Sequence, residues 1–114
     1  MLKRLNETTH EEMKNLWNGG GSVIMQKFLT AEDTNNKLKF ANIVTIEPGC
    51  GIGPHPHTTN AEIYWVIEGE LVYIEDGVEY VLHPGDITYA ADGHVHSVEN
   101  RSDATAHMAA IVIN

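Results

Sequence analysis

The sequence predicts an all-β sandwich or barrel, and three observations lead to this prediction. Short segments rich in β-branched and aromatic residues recur along the chain, about eight or nine in number, with turn signals between them. Asp76-Gly77 separates two such segments and is typical of a two-residue β-hairpin turn. Strands do not alternate with long helical segments, so a parallel α/β sheet is not expected. The 114 residues correspond to one domain.

The first element is predicted to be a short helix from Thr8 to Trp17. Thr8 and Glu11 fit a capping box. Met13 and Trp17 are four residues apart, which places them on one apolar stripe of a helix. The three consecutive glycines at Gly19–Gly21 would end this helix.

Strands are predicted from residue 22 onward, so the chain divides into an N-terminal helical arm at residues 1–21 and a β-barrel domain at residues 22–114. Pro48–Pro54, with its three glycines and two prolines, is predicted to be a loop. Alternation in the segment that begins at Lys39 places four side chains on one face, namely Phe40, Asn42, Val44 and Ile46. The predicted strands are Ser22–Leu29, Lys39–Glu47, Glu62–Gly69, Glu70–Glu75, Val78–Leu82, Ile87–Ala90, His94–Glu99 and Thr105–Ile113.

Charge and composition exclude several classes of function. The chain has 7 Lys and Arg residues against 16 Asp and Glu residues, a net charge of −9. Such a surface repels phosphate backbones and anionic lipids, so we expect no nucleic-acid or membrane partner. Cys50 is the only cysteine, and the N-terminal residues lack the apolar run of a signal peptide. These features favour a cytoplasmic protein.

The most informative local motif is His55-Pro56-His57. Residues two apart in an extended chain point to the same face, so the two imidazoles could share one cation. Glu62 follows at the beginning of an apolar strand, where a carboxylate is costly unless it is paired or bound to a metal. Two histidines and one carboxylate are a common ligand set for first-row transition metals.

The spacing around this motif resembles the first conserved motif of the cupin family. Gly49 is followed after five residues by His55, and Glu62 is followed after six residues by Gly69. The second motif is matched from Gly85 to Asn100, with Ala91 where the family usually has proline. The resemblance extends over about Lys39–Ile113.

Membership of this family would imply a small jelly-roll barrel, a double-stranded β-helix of two antiparallel sheets. It would also make His96 a fourth ligand beside His55, His57 and Glu62, holding one divalent transition-metal ion. Manganese, iron, nickel, zinc and copper all suit three imidazoles and one carboxylate, and the sequence does not distinguish them.

Two further residues are candidates for catalysis. Tyr64 is two positions after Glu62 and should share its inward face, where a phenol could bind substrate or donate a proton, or could simply line the barrel. His94 is two positions before His96 and could act as an acid or base or support the ligands, or could be an exposed loop residue.

The predicted function is that of a metal-dependent enzyme acting on a small organic acid, of the dioxygenase, decarboxylase, isomerase or lyase type. The alternative is a non-catalytic protein that binds a metal or a small ligand. Trp65 should face outward, and the strands at residues 62–67 and 106–113 carry large apolar side chains on both faces. We therefore expect a homodimer that covers these outer faces.

Overall fold

The computed structural model describes residues 1–114, whose ten strands form two antiparallel sheets. The six-stranded sheet has the order β1-β2-β3-β10-β5-β8, and the four-stranded sheet has the order β4-β9-β6-β7. Two 3-10 turns are the only helical segments, so no helix could span a membrane. The strands are β1 (Thr9–Lys14), β2 (Ser22–Thr30), β3 (Leu38–Ile46), β4 (Gly51–Pro56), β5 (Ala61–Glu68), β6 (Leu71–Glu75), β7 (Val78–Leu82), β8 (Ile87–Ala90), β9 (Val95–Glu99) and β10 (Ala106–Ile113).

The core lies between the inner faces of the two sheets. Val44 and Ile46 of β3 are fully buried in it, as the alternation of that strand predicts. The β6–β7 hairpin also agrees with its prediction, because Asp76 and Gly77 have φ values of 50° and 82°. Positive φ at both central positions is what a type I′ turn requires.

The predicted N-terminal helix is wrong, because residues Thr9–Lys14 form strand β1. This strand pairs with β2 in an antiparallel register that runs from Thr9 opposite Lys27 to Lys14 opposite Ser22. The apolar side chains of Met13 and Leu16 pack on the core, but from a strand and a 3-10 turn (Leu16–Asn18). Pairing with the exposed edge of β2 outweighs the local helical signals.

The predicted loop at Pro48–Pro54 is also wrong in its second half, because Gly51–Pro56 forms strand β4. Gly53 in this strand and Gly19 in the N-terminal segment let the two backbones cross closely. A Cβ on Gly53 would lie 1.9 Å from the carbonyl oxygen of Trp17, and one on Gly19 would lie 2.4 Å from that of Gly51. Glycine in a strand marks the close approach of another backbone, and here it is not a turn signal.

Candidate metal centre

Three strands place the four predicted metal ligands inside the barrel. His55 on β4 is directly opposite His96 on β9 in the antiparallel register, and His57 follows immediately after β4. Glu62 is near the beginning of β5 in the facing sheet. The centre therefore joins the two sheets across the core, with exposed fractions between 1% for His96 and 7% for His57.

The ligand atoms of the four side chains converge on one point. The Oε1 atom of Glu62 lies 3.0 Å from Nε2 of His57, 3.0 Å from Nε2 of His96 and 3.3 Å from Nε2 of His55. The Nε2 atoms of His55 and His96 are 3.0 Å apart. All four residues thus present one ligand atom within 4.8 Å of the others.

The other ring nitrogen of each of the first two histidines faces an acceptor. Nδ1 of His55 lies 2.8 Å from the carbonyl oxygen of Gly53, and Nδ1 of His57 lies 2.6 Å from Oδ1 of Asn60. A neutral imidazole that donates from Nδ1 leaves Nε2 with a bare lone pair. The orientation therefore favours the tautomer that a metal requires.

His96 is oriented in the same way by Tyr73. Its Nδ1 atom is 3.1 Å from the Tyr73 hydroxyl, which donates its own proton to Glu75 over 2.8 Å. The hydroxyl is then free to accept the Nδ1 proton of His96. With the protons on Nδ1, three Nε2 lone pairs and a carboxylate face one another at about hydrogen-bond distance, and these acceptors repel one another. A cation at their centre would relieve this repulsion. The residues present fit a bound metal ion.

Two of the ligands have pKa values shifted by this environment. Burial raises the pKa of Glu62, but when His55 and His96 carry a proton on Nε2 the hydrogen bonds that they donate outweigh that effect and lower it to about 2. Burial lowers the pKa of His96. Both shifts favour the forms that bind a metal, the carboxylate and the neutral imidazole.

A cavity of about 200 Å³ opens beside the ligand atoms. The ring of Trp17 forms part of its wall and stacks on His55, with ring centroids 5.5 Å apart and planes inclined by 15°. Lys39 and Phe40 from β3 also line this cavity. The exposed Lys39 gives this lining a positive charge, which favours a small anion as the ligand.

Tyr64 lies where the alternation predicts, on the inward face of β5. Its ring stacks on His96 at 4.7 Å between centroids, and its hydroxyl is buried without a hydrogen-bond partner. Burial raises the pKa of this hydroxyl, and the charge of Glu62 raises it further. The hydroxyl therefore stays protonated and can donate a hydrogen bond, and Tyr64 is among the residues that line the cavity.

His94 lies outside the cluster. It is exposed, and its Nδ1 atom is 2.5 Å from Oδ2 of Asp76 in the β6–β7 turn. The hydrogen bond to Asp76 raises the pKa of His94. His94 does not line the cavity beside the metal ligands, so the structure does not bring this candidate together with Tyr64.

Three contacts were missed by sequence reasoning. Asn60 follows His57 by three residues, a separation at which a short polar side chain in a turn could have been proposed as its partner. Tyr73 and Trp17 are distant in sequence from the histidines that they contact, and no local pattern marks them.

Comparison with known proteins agrees with this fold. The model of the family described as "Cupin domain" matches residues 42–113. An oxalate-binding protein of Thermotoga maritima is 31% identical over 113 residues, which cover 99% of this chain and 93% of the relative.

Solved structures show the same similarity. The crystal structure of a predicted oxalate decarboxylase from T. maritima superimposes with a TM-score of 0.93 at 31% identity, covering 99% of this chain and 98% of the other. A sugar phosphate isomerase from Silicibacter pomeroyi superimposes with a TM-score of 0.78, covering 100% of this chain and 76% of the other, but at 21% identity it supports the fold alone.

Proposed function

Because this chain belongs to the cupin family, we propose that it holds one divalent transition-metal ion and binds a small chelating carboxylic acid there, of which oxalate is the first to test. The single observation that carries the proposal is the convergence of Nε2 atoms from three histidines and Oε1 of Glu62 beside an open cavity. The similarity to an oxalate-binding protein over nearly the whole chain supports the choice of ligand.

The metal ion, when bound, would supply Lewis acidity and open coordination positions for two oxygen atoms of the acid. The protein contributes the remaining interactions. Lys39 would balance the negative charge of the ligand, and the Tyr64 hydroxyl would donate a hydrogen bond to one of its oxygens. Trp17 covers His55 and would limit the access of water from that side.

Binding without turnover is the function that the cavity supports best. Decarboxylation must deliver a proton to the carbon that loses carbon dioxide, and a carboxylic acid or free imidazole is the usual donor. Besides the metal ligands, the only titratable side chains that line the cavity are those of Lys39 and Tyr64. The unpartnered Tyr64 hydroxyl favours a second candidate, a metal-dependent enzyme in which this phenol is the proton donor.

Calorimetry with defined metal content tests the proposal. The protein is freed of metal, reloaded with one equivalent of manganese, iron, cobalt, nickel, copper or zinc, and titrated with oxalate. We expect saturable binding to at least one loaded form and none to the metal-free form. Absence of binding to every loaded form would overturn the proposal. Release of carbon dioxide from bound oxalate would favour the enzyme over the binding protein.

We also propose that the chain forms a homodimer through the outer face of the six-stranded sheet. Trp65 and Ile67 of β5 and Ile87 and Tyr89 of β8 are uncharged and between 49% and 66% exposed. Trp65 is directly opposite Ile87 in the β5–β8 register, so these side chains form one patch. An uncharged patch lets two copies approach although each carries a net charge of −9, and burying large apolar side chains stabilises the pair.

A further inference from the structure

A second and larger cavity adjoins the one at the metal ligands. It has a volume of about 410 Å³, against about 200 Å³ for the first. The two cavities share five lining residues, namely Leu16, Trp17, Met25, Lys39 and Phe40. A ligand that is held at the metal could therefore extend past these shared side chains into the second space.

The second cavity is suited to an apolar group. Met13 and Leu29 line it together with the shared apolar side chains. Asn42 also lines it, is only 2% exposed, and has an Oδ1 atom with no hydrogen-bond partner. A buried amide oxygen without a partner is costly, and an alkyl group has no donor to offer it. The apolar lining, and not Asn42, is therefore what favours an apolar group in this cavity.

Two lysines line the second cavity, and they differ in whether they are paired with a carboxylate. Lys27 lines the second cavity but is already paired with Glu11 of β1. Lys39 lines both cavities and forms no ion pair. The available positive charge thus belongs to a residue that lines both cavities, which suits a ligand with an anionic head.

We propose that the acid bound by this protein carries an apolar side chain, as in a 2-oxo or 2-hydroxy acid with several carbons beyond the chelating head. The head, which has two oxygen atoms on adjacent carbons as oxalate does, lies at the metal ligands beside Lys39. The side chain lies over Phe40 in the second cavity. This inference rests on the proposed function, because it requires the head to bind at the metal.

The test is a series of unbranched 2-oxo acids, from pyruvate through 2-oxobutanoate and 2-oxopentanoate to 2-oxohexanoate, with oxalate as the reference. Each is titrated by calorimetry into the protein loaded with the divalent ion that it retains most tightly. We expect the affinity to increase roughly twofold to fourfold with each methylene that enters the cavity. A flat or decreasing series alongside measurable oxalate binding would overturn the inference and leave the proposed function intact. Failure of oxalate and every 2-oxo acid to bind would overturn both.

A variant that fills the second cavity gives an independent measurement. Leu29 lines the second cavity but not the first. Leu29→Phe should weaken the binding of 2-oxohexanoate more than the binding of oxalate, so the ratio of 2-oxohexanoate affinity to oxalate affinity should fall. Ile24→Phe adds a similar ring on the exposed face of the same strand and should leave that ratio unchanged. If Leu29→Phe weakens the binding of both ligands equally, the proposed position of the ligand's side chain is contradicted. If this variant does not fold, the affinities of the wild-type protein for the 2-oxo acid series decide the question.

Discussion

The Tyr73 hydroxyl lies 3.1 Å from the Nδ1 atom of His96 and donates a hydrogen bond to Glu75 over 2.8 Å. His96 is the most deeply buried of the four candidate ligands, and this contact fixes the orientation of its ring. The chain Glu75–Tyr73–His96 therefore links the metal centre to the partly exposed end of strand β6.

Removing this hydroxyl should weaken metal binding. We expect Tyr73→Phe to reduce metal affinity roughly tenfold to a hundredfold, because groups that orient a ligand histidine typically contribute that much. The measurement is a competition titration against a chromophoric chelator. Tyr80→Phe is the matched control, since Tyr80 is opposite Tyr73 in the β6–β7 register but is 52% exposed. Equal metal affinity in wild type and Tyr73→Phe would contradict the role given to the hydroxyl.

The ligand side chains could be predicted because their signals are local. His55 and His57 are two residues apart in an extended segment, and Glu62 is a carboxylate at the beginning of an apolar strand. His96 could be added only through its position in a family motif. Its partner Tyr73 is 23 residues away on another strand, and only the tertiary structure brings the two together.

The N-terminal segment shows why other elements were not predictable. Met13 and Leu16 do pack on the core, so their apolar character was informative, but the same spacing fits a helix or a strand followed by a turn. The edge of β2 decides between them, and a local pattern does not reveal which edges are free. Likewise, Gly51 and Gly53 resemble turn residues until it is known that β9 approaches Gly51 and that the Trp17 segment crosses at Gly53.

The Tyr64 hydroxyl should contribute to binding of the acid and not to binding of the metal. Tyr64→Phe keeps the ring that stacks on His96 and removes only the unpartnered donor. We expect oxalate affinity to fall about twofold to tenfold, the usual contribution of one hydrogen bond, with metal affinity unchanged. Calorimetry of the metal-loaded variant measures the oxalate affinity, and competition with a chelator measures the metal affinity. Unchanged oxalate binding would mean that Tyr64 only lines the barrel.

Lys39 should attract the anionic head of the ligand. Lys39→Met retains most of the apolar stem and removes the charge, and we expect oxalate affinity to fall roughly twofold to fivefold at low salt. The loss should shrink as the ionic strength increases, because an exposed charge is screened. Lys37→Met is the control, since Lys37 is exposed on the preceding turn and lines neither cavity. The same loss in both variants would indicate a general charge effect and not a contact.

The pKa of His94 should depend on its contact with Asp76. Its hydrogen bond to Asp76 raises the pKa of His94 above the ordinary 6.5, and hydrogen bonds from the Val95 amide and then His94 lower the pKa of Asp76 below 3.8. The contribution of His94 to stability is therefore present below pH 6.5 and is lost as the pH rises through its raised pKa. The contribution of Asp76 to stability is present above pH 3.8 and is lost as the pH falls through its lowered pKa.

We expect Asp76→Asn to return the pKa of His94 toward 6.5, as measured by NMR titration of the ring protons. Asp92→Asn, which removes a nearby carboxylate that is not hydrogen-bonded to His94, should lower this pKa by a smaller amount. Equal effects of the two variants would mean that general charge, and not the Asp76 contact, determines the titration of His94.

The exposed patch on β5 and β8 predicts the oligomeric state. Light scattering at micromolar concentration should give about twice the chain mass of 12.6 kDa. Trp65→Asp places a charge in the middle of the patch, where burial against a second copy would leave it unpaired, so this variant should be monomeric. Val81→Asp changes a side chain of similar exposure on the other sheet, 54% against 52%, and should remain dimeric. A monomeric wild type would exclude the dimer, whereas a Trp65→Asp variant that remains dimeric would place the interface elsewhere.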